Sequence, residues 1–105
     1  MTKKYKLSFL PLFEEDLTEI TDYISVNLHN LEAADRLVDD IEAEINKRMD
    51  APLSFAPFHS AKHRPHPYYR INIRNFTVFY VVIEDTVEVR RVLYSKRDLD
   101  KLLDD

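Results

Sequence analysis

The residues that could do chemistry are basic, aromatic and histidine side chains in the second half of the chain. Cleavage of an RNA strand through its 2′-hydroxyl needs a base, an acid for the leaving oxygen and cations for the charge that builds on phosphorus. The cations could come from Arg70, Arg74, Arg90 and Arg97, and the proton transfers from Tyr94 or from His59, His63 or His66. The alternative is that the arginines only solvate the exposed face of a sheet.

The charge distribution offers the same two interpretations. The net charge is −4, but residues 59–97 hold eight Lys/Arg against three Asp/Glu, a local balance of +5. Residues 1–50 hold six Lys/Arg against twelve Asp/Glu, a balance of −6. This asymmetry indicates either an anionic partner for the second half or a solvated basic surface.

The composition excludes several classes of site. The 105 residues include no glycine and no cysteine. Phosphate-binding loops, dinucleotide-binding turns and the nucleophile elbow of hydrolases all depend on glycine, so these motifs are absent. Thiol catalysis and Cys-ligated zinc are excluded too. We expect no cofactor.

The length fits one domain that spans residues 1–105. No apolar run approaches the roughly 20 residues of a membrane span, and the N-terminus lacks the pattern of a signal peptide. We therefore expect a cytoplasmic protein that does not contact a membrane.

Three histidines suggest a metal site at first sight. His59, His63 and His66 are spaced by 4 and 3, which would place them on one face of a helix. Pro65 and Pro67 disfavour a helix at that place. We interpret the histidines as exposed loop residues and expect no metal.

Two amphipathic helices follow a short strand predicted over residues 4–9. Pro11 suits the first turn of the first helix, and Asn30 suits the N-cap of the second, which ends before Pro52. The apolar stripes comprise Phe13, Leu17, Ile20, Ile24 and Leu28 in the first helix of about four turns, and Ala34, Leu37, Val38, Ile41, Ile45 and Met49 in the second. Each stripe needs a sheet or a partner to cover it. The acidic residues between the stripes, including residues 14–16, are interpreted as solvated surface.

Three strands follow a proline-rich loop. Residues 69–74 alternate between apolar and polar, which predicts a half-buried strand. Phe76–Ile83 is almost wholly apolar and predicts a central strand buried on both faces. Thr86–Tyr94 predicts the third strand, and Asn75 and Glu84-Asp85 suit tight hairpin turns.

The last strand departs from its own alternation. Val87, Val89 and Leu93 define a core face, and Arg91 falls in the same phase. Either a bulge lies at Arg90-Arg91, or Arg91 has a partner. The opposite face is then predicted to be polar and basic, with Glu88, Arg90 and Tyr94 beside Arg70, Asn72 and Arg74.

These elements predict an α+β fold. Its order is an N-terminal strand, an antiparallel helical hairpin, a three-stranded antiparallel meander and a short C-terminal helix over residues 96–103, placed at the sheet edge.

In this order and spacing the chain resembles the RelE/ParE superfamily of toxins from bacterial type II toxin–antitoxin modules. The likeness covers nearly the whole length. It rests on the helical run FEEDLTEITDYI at residues 13–24, on YRI at 69–71, on FYVV at 79–82 and on VLYSKRD at 92–98.

The resemblance implies roles for individual residues. Arg74 and Arg97 match by position basic residues important in RelE-like ribonucleases, and Tyr94 stands where many relatives have histidine. An unperturbed tyrosine has a pKa of about 10 and is a weaker acid or base than histidine near neutral pH. The implied catalytic residues are Arg74, Tyr94 and Arg97, and the implied RNA-binding or target-binding residues are Lys62, His63, Arg64, Arg70, Arg90 and Lys96.

The resemblance also implies a growth-inhibiting toxin neutralised by a cognate antitoxin. ParE-like members inhibit DNA gyrase, whereas RelE-like members cleave messenger RNA on the ribosome. The long helical hairpin and the acidic net charge favour the ParE-like function. The alternatives are a RelE-like mRNA interferase and a non-toxic binding module that retains the fold. The antitoxin is expected to lay a helix or strand across exposed apolar surface and to cover the basic face.

Overall fold

A four-stranded sheet carries two helices on one face and a short helix on the other. The computed structural model describes residues 4–58, 64–97 and 99–103. In chain order the elements are β1 (Lys6–Phe9), α1 (Pro11–Asp22), a π-helical turn (Tyr23–Asn27), α2 (Leu31–Arg48), β2 (Tyr69–Ile73), β3 (Phe76–Ile83), β4 (Thr86–Tyr94) and α3 (Leu99–Leu102). The predicted α+β fold is confirmed.

The strand order in the sheet is β1-β4-β3-β2. The strands β2, β3 and β4 form the predicted antiparallel meander, and β1 pairs in parallel with β4. Because β3 is internal, its apolar residues are buried on both faces, with Phe79 and Val81 fully covered on one side and Val78 on the other. The prediction of a central buried strand is confirmed.

The helical hairpin begins where the sequence indicates. Pro11 is the first residue of α1, and the Asn30 side chain accepts a hydrogen bond of 3.0 Å from the N–H of Ala33 at the start of α2. Phe13, near the start of α1, lines the same groove as Ile45, near the end of α2, so the two helices run antiparallel.

The first helix ends earlier than its stripe predicts. The chain leaves the α-helical form at Asp22 and makes the π-helical turn, in which each turn contains more residues. Leu28, predicted on the buried stripe, lies just after this turn and is 55% exposed.

Two apolar cores lie on opposite faces of the sheet. The larger core joins α1 and α2 to residues such as Ile71, Val78 and Val89. The smaller core comprises Tyr68, Phe79, Val81, Leu93 and Leu103, with Phe58, Ile83, Leu99 and Leu102 around it. The face that was predicted to be polar and basic therefore carries an apolar core as well. The prediction that the C-terminal helix lies at the sheet edge was wrong, because the leucines of the C-terminal segment need apolar partners and pack on this core.

A β-bulge in β4 explains its irregular alternation. Phe79 pairs with Arg91 and Tyr80 with Val89, which leaves Arg90 as the extra residue. Beyond the bulge the phase is reversed. Leu93 therefore belongs to the smaller core instead of the helix-facing one, and Tyr94 faces the helices instead of the basic side. Both predicted placements were wrong for this reason.

The ends of two predicted strands also differ. The first strand begins at Lys6, and β2 ends at Ile73, so Arg74 lies in the turn with Asn75. Arg74 has a φ of 55° and Glu84, the first residue of the next turn, has a φ of 58°. In a chain without glycine, side-chain-bearing residues adopt the left-handed conformation that glycine favours.

Candidate functional site

An apolar groove lies where the end of α1 passes over the sheet, and we name it the Tyr94 groove. Its volume is about 670 Å³, and it is lined by Glu19, Ile20, Tyr23, Ile24, Leu28, Asn75, Phe76 and Tyr94. The rings of Phe76 and Tyr94 meet edge to face with centroids 5.9 Å apart. Ile20 and Ile24 are only partly buried against the larger core, and Leu28 is 55% exposed, so the described part of the chain covers the second half of the first apolar stripe incompletely.

Arg74 lies beside this groove without lining it. Its guanidinium forms an ion pair with Asp40 of α2, so it ties the β2–β3 turn to the helical hairpin. Both side chains are about half exposed. Arg74 is therefore partly neutralised in the free protein.

Lys96 and Arg97 lie two and three residues after Tyr94. The N–H of Arg97 donates 3.1 Å to the carbonyl of Tyr94, which turns the chain away from the sheet. Both side chains are exposed, and neither makes an ion pair or side-chain hydrogen bond with the described residues. They are available cations next to the Tyr94 groove.

A buried ion pair joins Asp16 to Arg91, and the sequence reasoning interpreted that aspartate as solvated. Asp16 accepts two hydrogen bonds from the guanidinium, at 2.7 and 2.9 Å, and a third of 3.2 Å from the N–H of Val92. Arg91 also donates 2.8 Å to the carbonyl of Leu102. Both alternatives for Arg91, a bulge and a partner, are therefore realised together. The sequence indicated this pair only through Arg91, which occupies a position where the alternation of β4 predicts an apolar residue. A buried arginine needs a carboxylate partner, but the sequence did not identify Asp16 as that partner.

Arginines and aromatic rings meet on the second face of the sheet. The guanidinium carbons of Arg64 and Arg90 lie 4.7 and 5.7 Å from the ring centre of Tyr68, and that of Arg70 lies 5.5 Å from Phe58. Burial lowers the pKa of Arg90, but its hydrogen bonds to Tyr68 and Glu88 more than compensate, so its pKa is raised above the ordinary value. Arg90 is a permanent cation here.

Two predicted target-binding residues, Lys62 and His63, lie outside the described residues, as does His59. Within residues 4–58, 64–97 and 99–103, no group of three or more His, Asp or Glu side chains is arranged to hold a metal ion. None of the helices in those ranges combines the length and apolar character of a membrane span.

Comparison with known proteins identifies the family. The profile described as "ParE toxin of type II toxin-antitoxin system, parDE" matches residues 7–99. This chain belongs to the ParE toxin family. It is a toxin of the type II toxin–antitoxin class, within the wider RelE/ParE superfamily.

Solved structures resemble the toxin over most of its length. A chain from "Chromosomal ParDE TA system from P. aeruginosa" superposes with a TM-score of 0.71 at 18% identity, covering 88% of the toxin and 97% of that chain. A chain from the RelB-RelE antitoxin-toxin complex of Methanococcus jannaschii gives 0.51 at 25% identity, covering 91% and 99%. No curated protein matches the toxin.

The three implied catalytic residues of the toxin lie at the same end of the sheet but not around one cavity. Tyr94 and Arg97 share a cavity of about 130 Å³, whose walls include the carboxylates of Asp16 and Glu19. Arg74 lines neither this cavity nor the Tyr94 groove. Among the implied target-binding residues, Arg64, Arg70 and Arg90 gather on the opposite face.

Proposed function

We propose that this toxin inhibits growth by acting on DNA gyrase in the cytoplasm through a protein–protein contact, and that a cognate antitoxin neutralises it. The family match supports the toxin class, and the two structural neighbours come from complexes named for both toxin and antitoxin. The choice of a protein target depends on the Tyr94 groove.

The Tyr94 groove has the character of a protein-binding surface. Tyr23 and Tyr94 have exposed aromatic side chains, and the groove is also lined by Ile20, Ile24 and Phe76. Aromatic residues at such surfaces contribute much of the binding energy of protein interfaces. The adjoining cavity is lined by the carboxylates of Asp16 and Glu19 and the guanidinium groups of Arg91 and Arg97, so it offers a phosphodiester no net positive charge. This apolar groove, with available cations beside it, is the observation that carries the proposal.

A second candidate function is cleavage of ribosome-bound messenger RNA. Arg64, Arg70 and Arg90, with the rings of Phe58 and Tyr68, offer the cations and stacking surfaces that suit single-stranded RNA. The carboxylate of Glu88 on this face is engaged by Arg90 at 2.9 Å. Asn72 and Thr77 are neutral and bond to each other at 3.0 Å, so neither supplies an acid or a base beside Arg70. We therefore favour gyrase.

Expression in a bacterial host tests the toxin class. We expect growth arrest on induction, and rescue when the small gene beside this one is expressed together with it. Unimpaired growth on strong induction would contradict toxicity and would favour a binding module that has kept the fold alone.

Two assays then separate the targets. Purified toxin should reduce the supercoiling activity of gyrase, and primer extension on translated messages should show no codon-linked cuts. The converse pattern would establish the RNA-cleaving alternative, for which Arg70→Gln should abolish cutting.

Matched variants of the π-helical turn test the groove. Tyr23 lines the Tyr94 groove and is 56% exposed, whereas Val26 lies outside it and is 64% exposed. We expect Tyr23→Ser to weaken gyrase inhibition about 10-fold, the effect of losing one aromatic anchor, and Val26→Ser to leave it unchanged. Equal inhibition by both variants would exclude the groove from target binding.

A further inference from the structure

The Tyr94 groove has charges of opposite sign on its two sides. On the helix side, Glu19 lines the groove and Asp22 ends α1, and we name this pair the acidic wall. On the sheet side, Lys96 and Arg97 lie just after Tyr94, and we name this pair the basic corner. All four side chains are exposed, and none makes an ion pair within the part of the chain that the structure describes. Both sides of the groove therefore keep their charge for a partner.

The charge of the helix side limits which partners fit the groove. Residues 7–35, which include the acidic wall, hold seven Asp/Glu and no Lys/Arg. A partner that carries a single sign of charge is therefore attracted to one side of the groove and repelled by the other. A partner that satisfies both sides has to carry both signs, and a second copy of the toxin presents them in a matching arrangement.

Apolar side chains project between these charges. Tyr23 and Leu28 line the groove with more than half of their surface exposed, and Tyr94 is exposed on the opposite side. Exposed apolar side chains gathered at one place mark surfaces that other proteins cover. Because these side chains project beside a groove of about 670 Å³, the surface can pack against a copy of itself, with Tyr23 of each copy entering the groove of the other.

We propose that two copies of the free toxin pair through their Tyr94 grooves and thereby mask the surface that binds gyrase. A two-fold interface places the same patch on both sides, so the acidic wall of each copy faces the basic corner of the other. The inference rests on the proposed function, because it concerns the regulation of the groove assigned to the target. Self-pairing and target binding exclude one another, so only the monomer inhibits.

Sedimentation velocity of the purified toxin at increasing concentration measures the pairing. We expect a reversible monomer–dimer equilibrium, since an interface of this limited extent belongs to the weak and transient class. Inhibition of gyrase supercoiling is then measured over the same concentrations. Well above the dissociation constant of the dimer, a roughly fourfold increase in total toxin should only about double the concentration of inhibiting monomer, by mass action.

Reversal of the charges identifies the interface. Glu19→Lys/Asp22→Lys makes both sides of the groove basic, and Lys96→Glu/Arg97→Glu makes both sides acidic. We expect each variant alone to dimerise at least 10-fold more weakly than the wild type, because like charges then face each other.

An equimolar mixture of the two variants provides the decisive measurement. In a mixed pair every acidic side faces a basic side, so we expect a heterodimer of about wild-type strength. A fault in folding of either variant would not be repaired by mixing. The control is Glu14→Lys/Glu15→Lys, which makes the same change on exposed positions of α1 that do not line the groove. It should dimerise within about 3-fold of the wild type.

The outcomes separate this inference from the proposed function. A wild-type toxin that inhibits gyrase and stays monomeric at every concentration would overturn self-pairing alone. Dimerisation that the charge reversals leave unchanged would locate the second copy on another surface, and a mixture that stays monomeric would exclude the two-fold arrangement. Either result would overturn the inference. Absence of gyrase inhibition by toxin diluted to the monomer would contradict the proposed target instead.

Discussion

Replacement of Asp16 by asparagine should remove a charge on which the junction of α1 and β4 depends. The Asp16 and Arg91 side chains are 10% and 15% exposed, and the carboxylate accepts three hydrogen bonds. Asparagine preserves the shape and one acceptor oxygen. It removes the negative charge that the guanidinium of Arg91 contacts at 2.7 and 2.9 Å.

The expected cost follows from that burial. Removing one partner of a buried ion pair costs about 3–5 kcal/mol, because the remaining charge keeps its desolvation penalty without the attraction. We expect about 3 kcal/mol for Asp16→Asn, since the amide oxygen can still accept a bond. For a domain of this size, that loss lowers the melting temperature by about 12 °C or more.

Urea unfolding followed by circular dichroism measures this loss. The control is Glu32→Gln, which breaks the exposed pair between Glu32 and Arg36 and should cost less than about 0.5 kcal/mol. The double variant Asp16→Asn/Arg91→Met should recover part of the stability, since it also removes the buried guanidinium that has lost the attraction of the Asp16 carboxylate. A loss below about 1 kcal/mol for Asp16→Asn would refute the argument, because the pair would then behave as an exposed one.

Three further predictions concern the turns and the β2 edge. Glu84→Gly should raise stability by about 1 kcal/mol in a thermal melt, because glycine adopts the positive φ of this turn without strain, and Asp85→Gly should give no gain. Burial raises the pKa of Tyr80, although its bond to Arg48 partly offsets the effect. As the pH rises, the unfolded chain therefore loses the Tyr80 proton before the folded chain does, and the free energy of unfolding falls above a pH of about 10. In urea unfolding, the stability advantage of the wild type over Tyr80→Phe should shrink above that pH. Arg48→Met should lower the free energy of unfolding by about 1–2 kcal/mol in the same assay, since it removes hydrogen bonds to Arg70 and Tyr80 and a cation–π contact with Phe55. The same change should hasten proteolysis of the segment after α2.

The parts of the fold that could be predicted well depend on short-range sequence patterns. The bounds of β3 and β4 and the N-cap at Asn30 agree with the structure, because each depends on the types of neighbouring residues. The end of α1 did not follow from its apolar spacing. The π-helical turn after Asp22 changes the rotation per residue, and the spacing of the apolar residues did not predict where that change begins.

Long-range pairings were the part that could not be predicted. Asp16 and Arg91 are 75 residues apart, and several other acidic residues on α1 have the same chemistry. Which acidic residue of α1 becomes buried depends on where β4 passes beneath that helix. The parallel pairing of β1 with β4 is long-range in the same way.

The bulge at Arg90 links these observations, because a single extra residue decides which side of the sheet each candidate residue occupies. Without it, Tyr94 would lie on the face of Glu88 and Arg90, beside the cations that RNA cleavage needs. With it, Tyr94 faces the helices and lines an apolar groove, while Arg91 reaches Asp16. The placement of Tyr94 beside the cations of the second face and its placement in the Tyr94 groove thus differ by one residue of register. The ion pair with Asp16 stabilises the register that places Tyr94 in this groove, because Asp16 also accepts a bond from the N–H of Val92, just after the bulge.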